Sequence, residues 1–117
     1  MSTARTDYRA LTQRISGDLL TLRANTPAVM QAFNDLGRAA TADGALSRKT
    51  KELIALALGV AAHCGGCIGF HVQTLVKLGA TRQEIEEALG VATYMGGGPS
   101  LMYAAEAVSA FEEFSRM

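Results

Sequence analysis

From Leu53 to Ala62 the chain reads Leu-Ile-Ala-Leu-Ala-Leu-Gly-Val-Ala-Ala, without one polar side chain. Ala and Leu are strong helix formers, so the run is read as helix. A helix that is apolar on nearly all sides has to be covered by other helices or by another subunit. It cannot cross a membrane, which takes roughly 20 consecutive apolar residues. The chain must therefore surround this segment with amphipathic helices.

The pattern on either side supplies them. Tyr8, Leu11, Ile15, Leu19 and Leu22 recur at spacings of three and four, one stripe of a first helix. Pro27 suits the first position of a second helix, with Thr26 as its cap, and that helix runs to about Ala42. Asp43-Gly44 is a turn, and Ser47 caps the helix that carries the apolar run. Arg48, Lys49 and Lys51 in its first turn read as a solvated face. Cys67, Phe70, His71, Leu75 and Leu78 form the next stripe, closed by Gly79. Thr81 to Glu84 is a capping box before Ile85, Ala88, Leu89, Ala92 and Met95. Gly96-Gly97-Gly98 is read as a tight turn; a phosphate cradle would need a preceding strand and a following Lys-Ser/Thr. Pro99 starts a last helix with the stripe Leu101, Ala105, Val108 and Phe111. Met95, Met102 and Tyr103 are read as core or subunit contacts. The expected fold is all-α, about six helices in one domain spanning residues 1–117, enough chain for one core.

Charge narrows the partners. Formal net charge is zero and no dense Lys/Arg block is present, which argues against nucleic acid or an anionic membrane. Met1 to Arg14 has no apolar core of the kind a secretory signal needs, so a cytoplasmic location is expected. In that compartment a CxxC pair is catalytic or metal-binding more often than a permanent staple.

Both cysteines and both histidines fall between His63 and His71. A CxxC at a helix start places two sulfurs on one side of one turn, near enough to close a small disulfide ring. The helix N-terminus stabilises a thiolate, which is the nucleophile. His71, four residues after Cys67, shares its face and can accept or relay a proton. Gly65 and Gly66 put no side chain over the thiols, which leaves room for a bulky partner. Glu52 is either the last solvated turn before the apolar run or a buried acid with a chemical role, and composition favours the former. If the chain reverses near Ala62 to Gly65, His71 comes level with about Leu56. Glu52 then lies roughly 6 Å further along the axis, within reach of His71 directly or through one water.

Other readings of the same residues stay open. His63, Cys64, Cys67 and His71 could ligate zinc, although structural sites usually draw their ligand pairs from two separated segments. The cysteines could be small buried hydrophobes. His71 could be a satisfied core histidine. His63 is read as a solvent-facing residue at a helix end.

Glu52, eleven residues, Cys64-Gly65-Gly66-Cys67, three residues and His71 resemble the pattern of the AhpD-like alkylhydroperoxidases of the carboxymuconolactone decarboxylase superfamily. The stretch Tyr94 to Glu106 is similar to that family's C-terminal helical segment, and the resemblance covers about Leu46 to Phe114. It implies an all-helical fold assembled into homo-trimers or homo-hexamers. It implies that Cys67 attacks a hydroperoxide and that Cys64 resolves the product into a Cys64–Cys67 disulfide. Glu52 and His71 would form the proton relay. The reductant would be a thiol, in characterised members a lipoyl-bearing protein, and neither cofactor nor metal is implied. Family peroxidases commonly carry a histidine between the cysteines, where this chain has Gly66. That departure keeps open a thiol–disulfide oxidoreductase with a disulfide substrate. Decarboxylation of a cyclic lactone acid and a non-catalytic metal- or partner-binding domain are the remaining alternatives.

Overall fold

The computed structural model describes residues 5–117; Met1 to Ala4, at the head of the polar N-terminal stretch, lie outside it. The described residues form six helices and no strand: α1 Tyr8–Asn25, α2 Pro27–Thr41, α3 Arg48–Ala61, α4 Gly65–Lys77, α5 Arg82–Gly96 and α6 Gly98–Ser115. The all-α expectation holds, with the CxxC at the start of α4.

Short-range chemistry sets most helix ends. Ser47 Oγ accepts the Thr50 N–H at 3.1 Å. Thr81 Oγ1 accepts the Glu84 N–H at 3.1 Å, while Glu84 Oε1 accepts the Thr81 N–H at 2.9 Å. At Gly79 (φ 78°) the N–H groups of Gly79 and Ala80 reach back to Val76 and Leu75. Positive φ is cheap for glycine alone, which is why it closes α4. Thr26 departs from expectation. Its hydroxyl donates to the Leu22 carbonyl at 2.7 Å, so it closes α1 and gives α2 no side-chain cap.

The core lies where α3, α4, α5 and α6 meet. Leu56 and Val60 face Ile68, Val72 and Leu75, with Ile85, Leu89 and Phe114 around them. Ala104, Ala107 and Ala110 line the inner face of α6, and their small side chains allow close approach. The apolar run on α3 is covered on one side only: Ile54 and Leu58 are exposed. No residue of α2 is buried, and Val29, Phe33 and Leu36 are 67%, 67% and 63% exposed. Six helices of this length cannot enclose every apolar face that the sequence presents.

Tyr8 fastens α1 to α6. It is 2% exposed, its hydroxyl donates to Glu106 Oε1 at 2.8 Å, and its N–H donates to Glu113 Oε1 at 2.9 Å. The other Glu113 oxygen accepts the Arg9 N–H at 2.9 Å, so one carboxylate serves two unpaired donors at the start of α1. Burial, and then the hydrogen bond to Glu106, push the Tyr8 phenol well above its ordinary value. The folded state therefore favours the protonated phenol. That contribution is full below about pH 10 and declines as pH rises through it. Tyr8→Phe is expected to cost about 1.5–3 kcal/mol near neutral pH, because the Glu106 carboxylate loses its donor. Urea unfolding at about pH 7 and about pH 11 checks both points: the gap between parent and variant should narrow at the higher pH.

Candidate functional site

The reversal between α3 and α4 positions the cysteines. His63 has φ 57° and is the one non-glycine with positive φ among the described residues. Its N–H reaches the Val60 carbonyl and the Cys64 N–H reaches the Gly59 carbonyl, both at 3.0 Å. This is the helix-closing geometry in which glycine is usual. The His63 ring stacks on Tyr103 of α6, centroids 4.8 Å apart and planes within 6°. His63 is exposed at a helix end as expected, but it lies against Tyr103.

Cys64 caps α4: its Sγ accepts the Cys67 N–H at 3.1 Å. Cys64 and Cys67 are joined by a disulfide, with their Cα atoms 5.2 Å apart. Across the hairpin, Gly59 sits against Cys67, where a Cβ on Gly59 would fall 2.9 Å from the Cys67 Cβ. That contact involves the root of a side chain, so a larger residue must displace Cys67 itself. Gly59→Ala is expected to lose about 1–3 kcal/mol to overpacking, outweighing the ~1 kcal/mol that alanine gains in a helix. It should also slow every reaction of Cys67. Thermal unfolding and the rate of thiol alkylation in the reduced protein check the two effects.

Glu52 is 5% exposed, so the solvated reading is overturned. Its Oε2 lies 2.7 Å from His71 Nδ1, a direct contact across the axial offset that counting along the hairpin predicts. A carboxylate only accepts, so in the neutral imidazole the hydrogen sits on Nδ1 and Nε2 is left as the ring's acceptor. His71 is half-buried and one helical turn beyond Cys67 on the same face.

The glycines between the cysteines do not leave open space. A Cβ on Gly65 would be 3.8 Å from Leu11 Cδ2, and one on Gly66 would be 2.9 Å from Ile15 Cδ1. One turn on, a Cβ on Gly69 would be 2.7 Å from Thr12 Cγ2. The three glycines form a shallow strip into which α1 packs. A histidine at position 66 would have to displace Ile15.

His63 faces Tyr103, His71 faces Glu52 and the cysteines face each other, so the four residues weighed as a zinc set do not converge. Among the described residues no three His, Cys, Asp or Glu side chains are grouped to hold a metal ion. No helix among them is long and apolar enough to cross a membrane.

Sequence reasoning missed the residues in front of Glu52 and His71. A cavity of about 300 Å³ opens there between α2 and the α3–α4 pair, lined by Phe33, Asn34, Gly37, Arg38 and Thr41. The repeat Phe33, Gly37, Thr41, one residue per turn, was the available signal. A larger apolar groove, about 460 Å³, lies between α5 and α6 and includes Met102. Met95 and Met102 are exposed and are not core.

The profile of the carboxymuconolactone decarboxylase family matches residues 27–110, which contain the whole hairpin and both cysteines. The chain belongs to the carboxymuconolactone decarboxylase family. A crystal structure of an apo carboxymuconolactone decarboxylase family protein from Legionella pneumophila superposes with a TM-score of 0.91 at 62% identity, covering 92% of this chain and 96% of that one. An uncharacterized protein of Cupriavidus necator is 39% identical over 107 residues, 92% of this chain and 95% of its own. Uncharacterized protein 4 in the cox locus of Paracoccus denitrificans is 39% identical over 82 residues, 70% of this chain and 74% of its own. The AhpD-like arrangement fits this family: six helices, with a CxxC pair opening the fourth.

Proposed function

We propose that this chain is a CxxC-dependent thiol oxidoreductase that reduces organic hydroperoxides. Its main support is the 2.7 Å contact between buried Glu52 and His71, one turn from Cys67. The Cys67 thiol gives its proton to His71 Nε2, and the thiolate attacks the outer peroxide oxygen. The O–O bond breaks, Cys67 becomes a sulfenic acid, and the proton goes to the departing alkoxide to give an alcohol. The Cys64 thiol displaces water from the sulfenic sulfur and closes the disulfide. An external dithiol, of which a reduced lipoyl group is one kind, then exchanges through Cys64. It leaves oxidised and restores both thiols.

The chain acts as a homo-oligomer in this reading, with another copy covering Val29 and Leu36 of α2 and Ile54 and Leu58 of α3. Sedimentation velocity should then find trimers or hexamers, and a monomer at working concentration would remove that part.

The functional test is a thiol count. The reduced chain is mixed with one equivalent of cumene hydroperoxide and free thiols are titrated with time. Loss of both thiols per chain, faster than in free cysteine, is expected. Loss no faster than in free cysteine would overturn the peroxidase assignment and direct attention to a protein disulfide as the substrate.

A further inference from the structure

The cavity in front of Glu52 and His71 does not end there. Arg38 and Thr41 line it, and the same two residues line an adjoining recess of about 370 Å³ with Ala42 and Arg48. The two hollows adjoin beside α2 as a two-part groove. Its inner end holds a proton-relay pair, a carboxylate and an imidazole in direct contact. Its flank is Phe33 and the bare backbone of Gly37, where an added Cβ would meet nothing within 4 Å. Its outer end carries three cations against two carboxylates. Arg38 pairs with Asp35 in its own helix, and Asp43 Oδ1 accepts the Arg48 backbone N–H at 2.7 Å, whereas the Arg48 guanidinium has no carboxylate partner among the described residues. The Lys51 ammonium donates to the Ala42 carbonyl at 2.6 Å and supplies the third positive charge at that end.

We infer that this groove binds an amphipathic carboxylate: an anionic head at Arg38 and Arg48, an apolar stem along Phe33 and Gly37, and the reactive end at His71. Charge sets the polarity of binding. The buried Glu52 carboxylate repels an anion from the inner end, while the guanidiniums hold one at the outer end, each able to grip a carboxylate with two parallel hydrogen bonds. For the reactive end alone this rests on the proposed peroxidase chemistry. The favoured substrate is then an acid whose apolar stem bears a hydroperoxide, in preference to its uncharged ester.

Two measurements test this, one of them independent of catalysis. Octanoate and 1-octanol are titrated into the oligomeric protein as purified, with binding followed by calorimetry and by the NMR signals of His71 and Phe33. Octanoate should bind more tightly than octanol, and Arg38→Gln with Arg48→Gln should weaken octanoate about tenfold, close to 1.4 kcal/mol. Arg116→Gln, at the far C-terminus, should leave octanoate binding as it was. In turnover, kcat/KM for a hydroperoxy-octanoate divided by that for its methyl ester should exceed one. The Arg38, Arg48 double variant should bring that ratio to about one, through KM. Equal binding of octanoate and octanol, or an effect of Arg38→Gln and Arg48→Gln no larger than that of Arg116→Gln, would overturn the inference even if hydroperoxides are reduced. Arginine-dependent octanoate binding without any hydroperoxide turnover would uphold the groove and sink the peroxidase assignment.

Discussion

Cys67→Ser should abolish the hydroperoxide-driven loss of thiols, leaving Cys64 to react no faster than free cysteine. The two sulfurs are not equivalent. Cys67 lies inside the hairpin, packed on Gly59 and one turn from His71, whereas Cys64 precedes α4 as its cap. A hydroxyl at position 67 keeps the size of the side chain but is not a competent nucleophile near neutral pH. Cys64→Ser should behave in the opposite way. Its Cys67 should still consume one equivalent of hydroperoxide and stop at the sulfenic acid, which dimedone traps at one per chain. If Cys64→Ser fails to form the adduct while Cys67→Ser forms it, the order of attack is reversed. If Cys67→Ser retains turnover of a lactone acid, the decarboxylase alternative gains.

Glu52→Gln should slow the reaction of Cys67 by about 10²–10⁴-fold, the usual reach of positioned proton transfer. Glutamine keeps the shape but loses the charge. Its amide can also donate to His71 Nδ1, which moves the ring hydrogen to Nε2 and removes the acceptor that the thiol needs. Glu52→Leu with His71→Leu separates this chemistry from folding. Replacing both members of a buried pair with apolar side chains is often neutral or stabilising, whereas removing one leaves the other unpaired. The double variant is therefore expected to melt at or above the parent temperature, and Glu52→Leu alone below it, while both react as slowly as Glu52→Gln. Differential scanning calorimetry beside stopped-flow thiol loss reads both. Equal rates in parent and Glu52→Gln would remove Glu52 from the relay and leave its 2.7 Å contact as packing alone.

What could be read before the structure follows from the range of the forces involved. Ser47, Gly79 and the Thr81–Glu84 box act within one turn, so three or four letters fix them. The Glu52–His71 contact spans nineteen positions, but a single reversal joins them and the rise per residue carries the estimate across. Thr26 was ambiguous because a hydroxyl between two helices can serve either, and it donates backward to Leu22. Composition pointed Glu52 to solvent, since a carboxylate is rarely buried without a partner, and that partner arrives from another helix. The glycines at 65 and 66 suggested vacancy because nothing local occupies them. What fills the space comes from Leu11 and Ile15, far earlier in the chain. His63 gave no sign of its left-handed backbone, which the helix-closing bonds and the Tyr103 ring hold in place.

The glycine strip on α4 has a consequence for how such proteins diverge. The residues that do the chemistry and the residues that decide what lies beside them belong to different helices. Changing Leu11 or Ile15 to something smaller would open a hollow next to Gly65 and Gly66 while every letter from Glu52 to His71 stayed the same. A search keyed to the cysteine motif would rank the two chains as identical. Selectivity in this fold can thus be inherited separately from reactivity, and the first helix, outside the span that the family profile recognises, is a place where it can drift unseen.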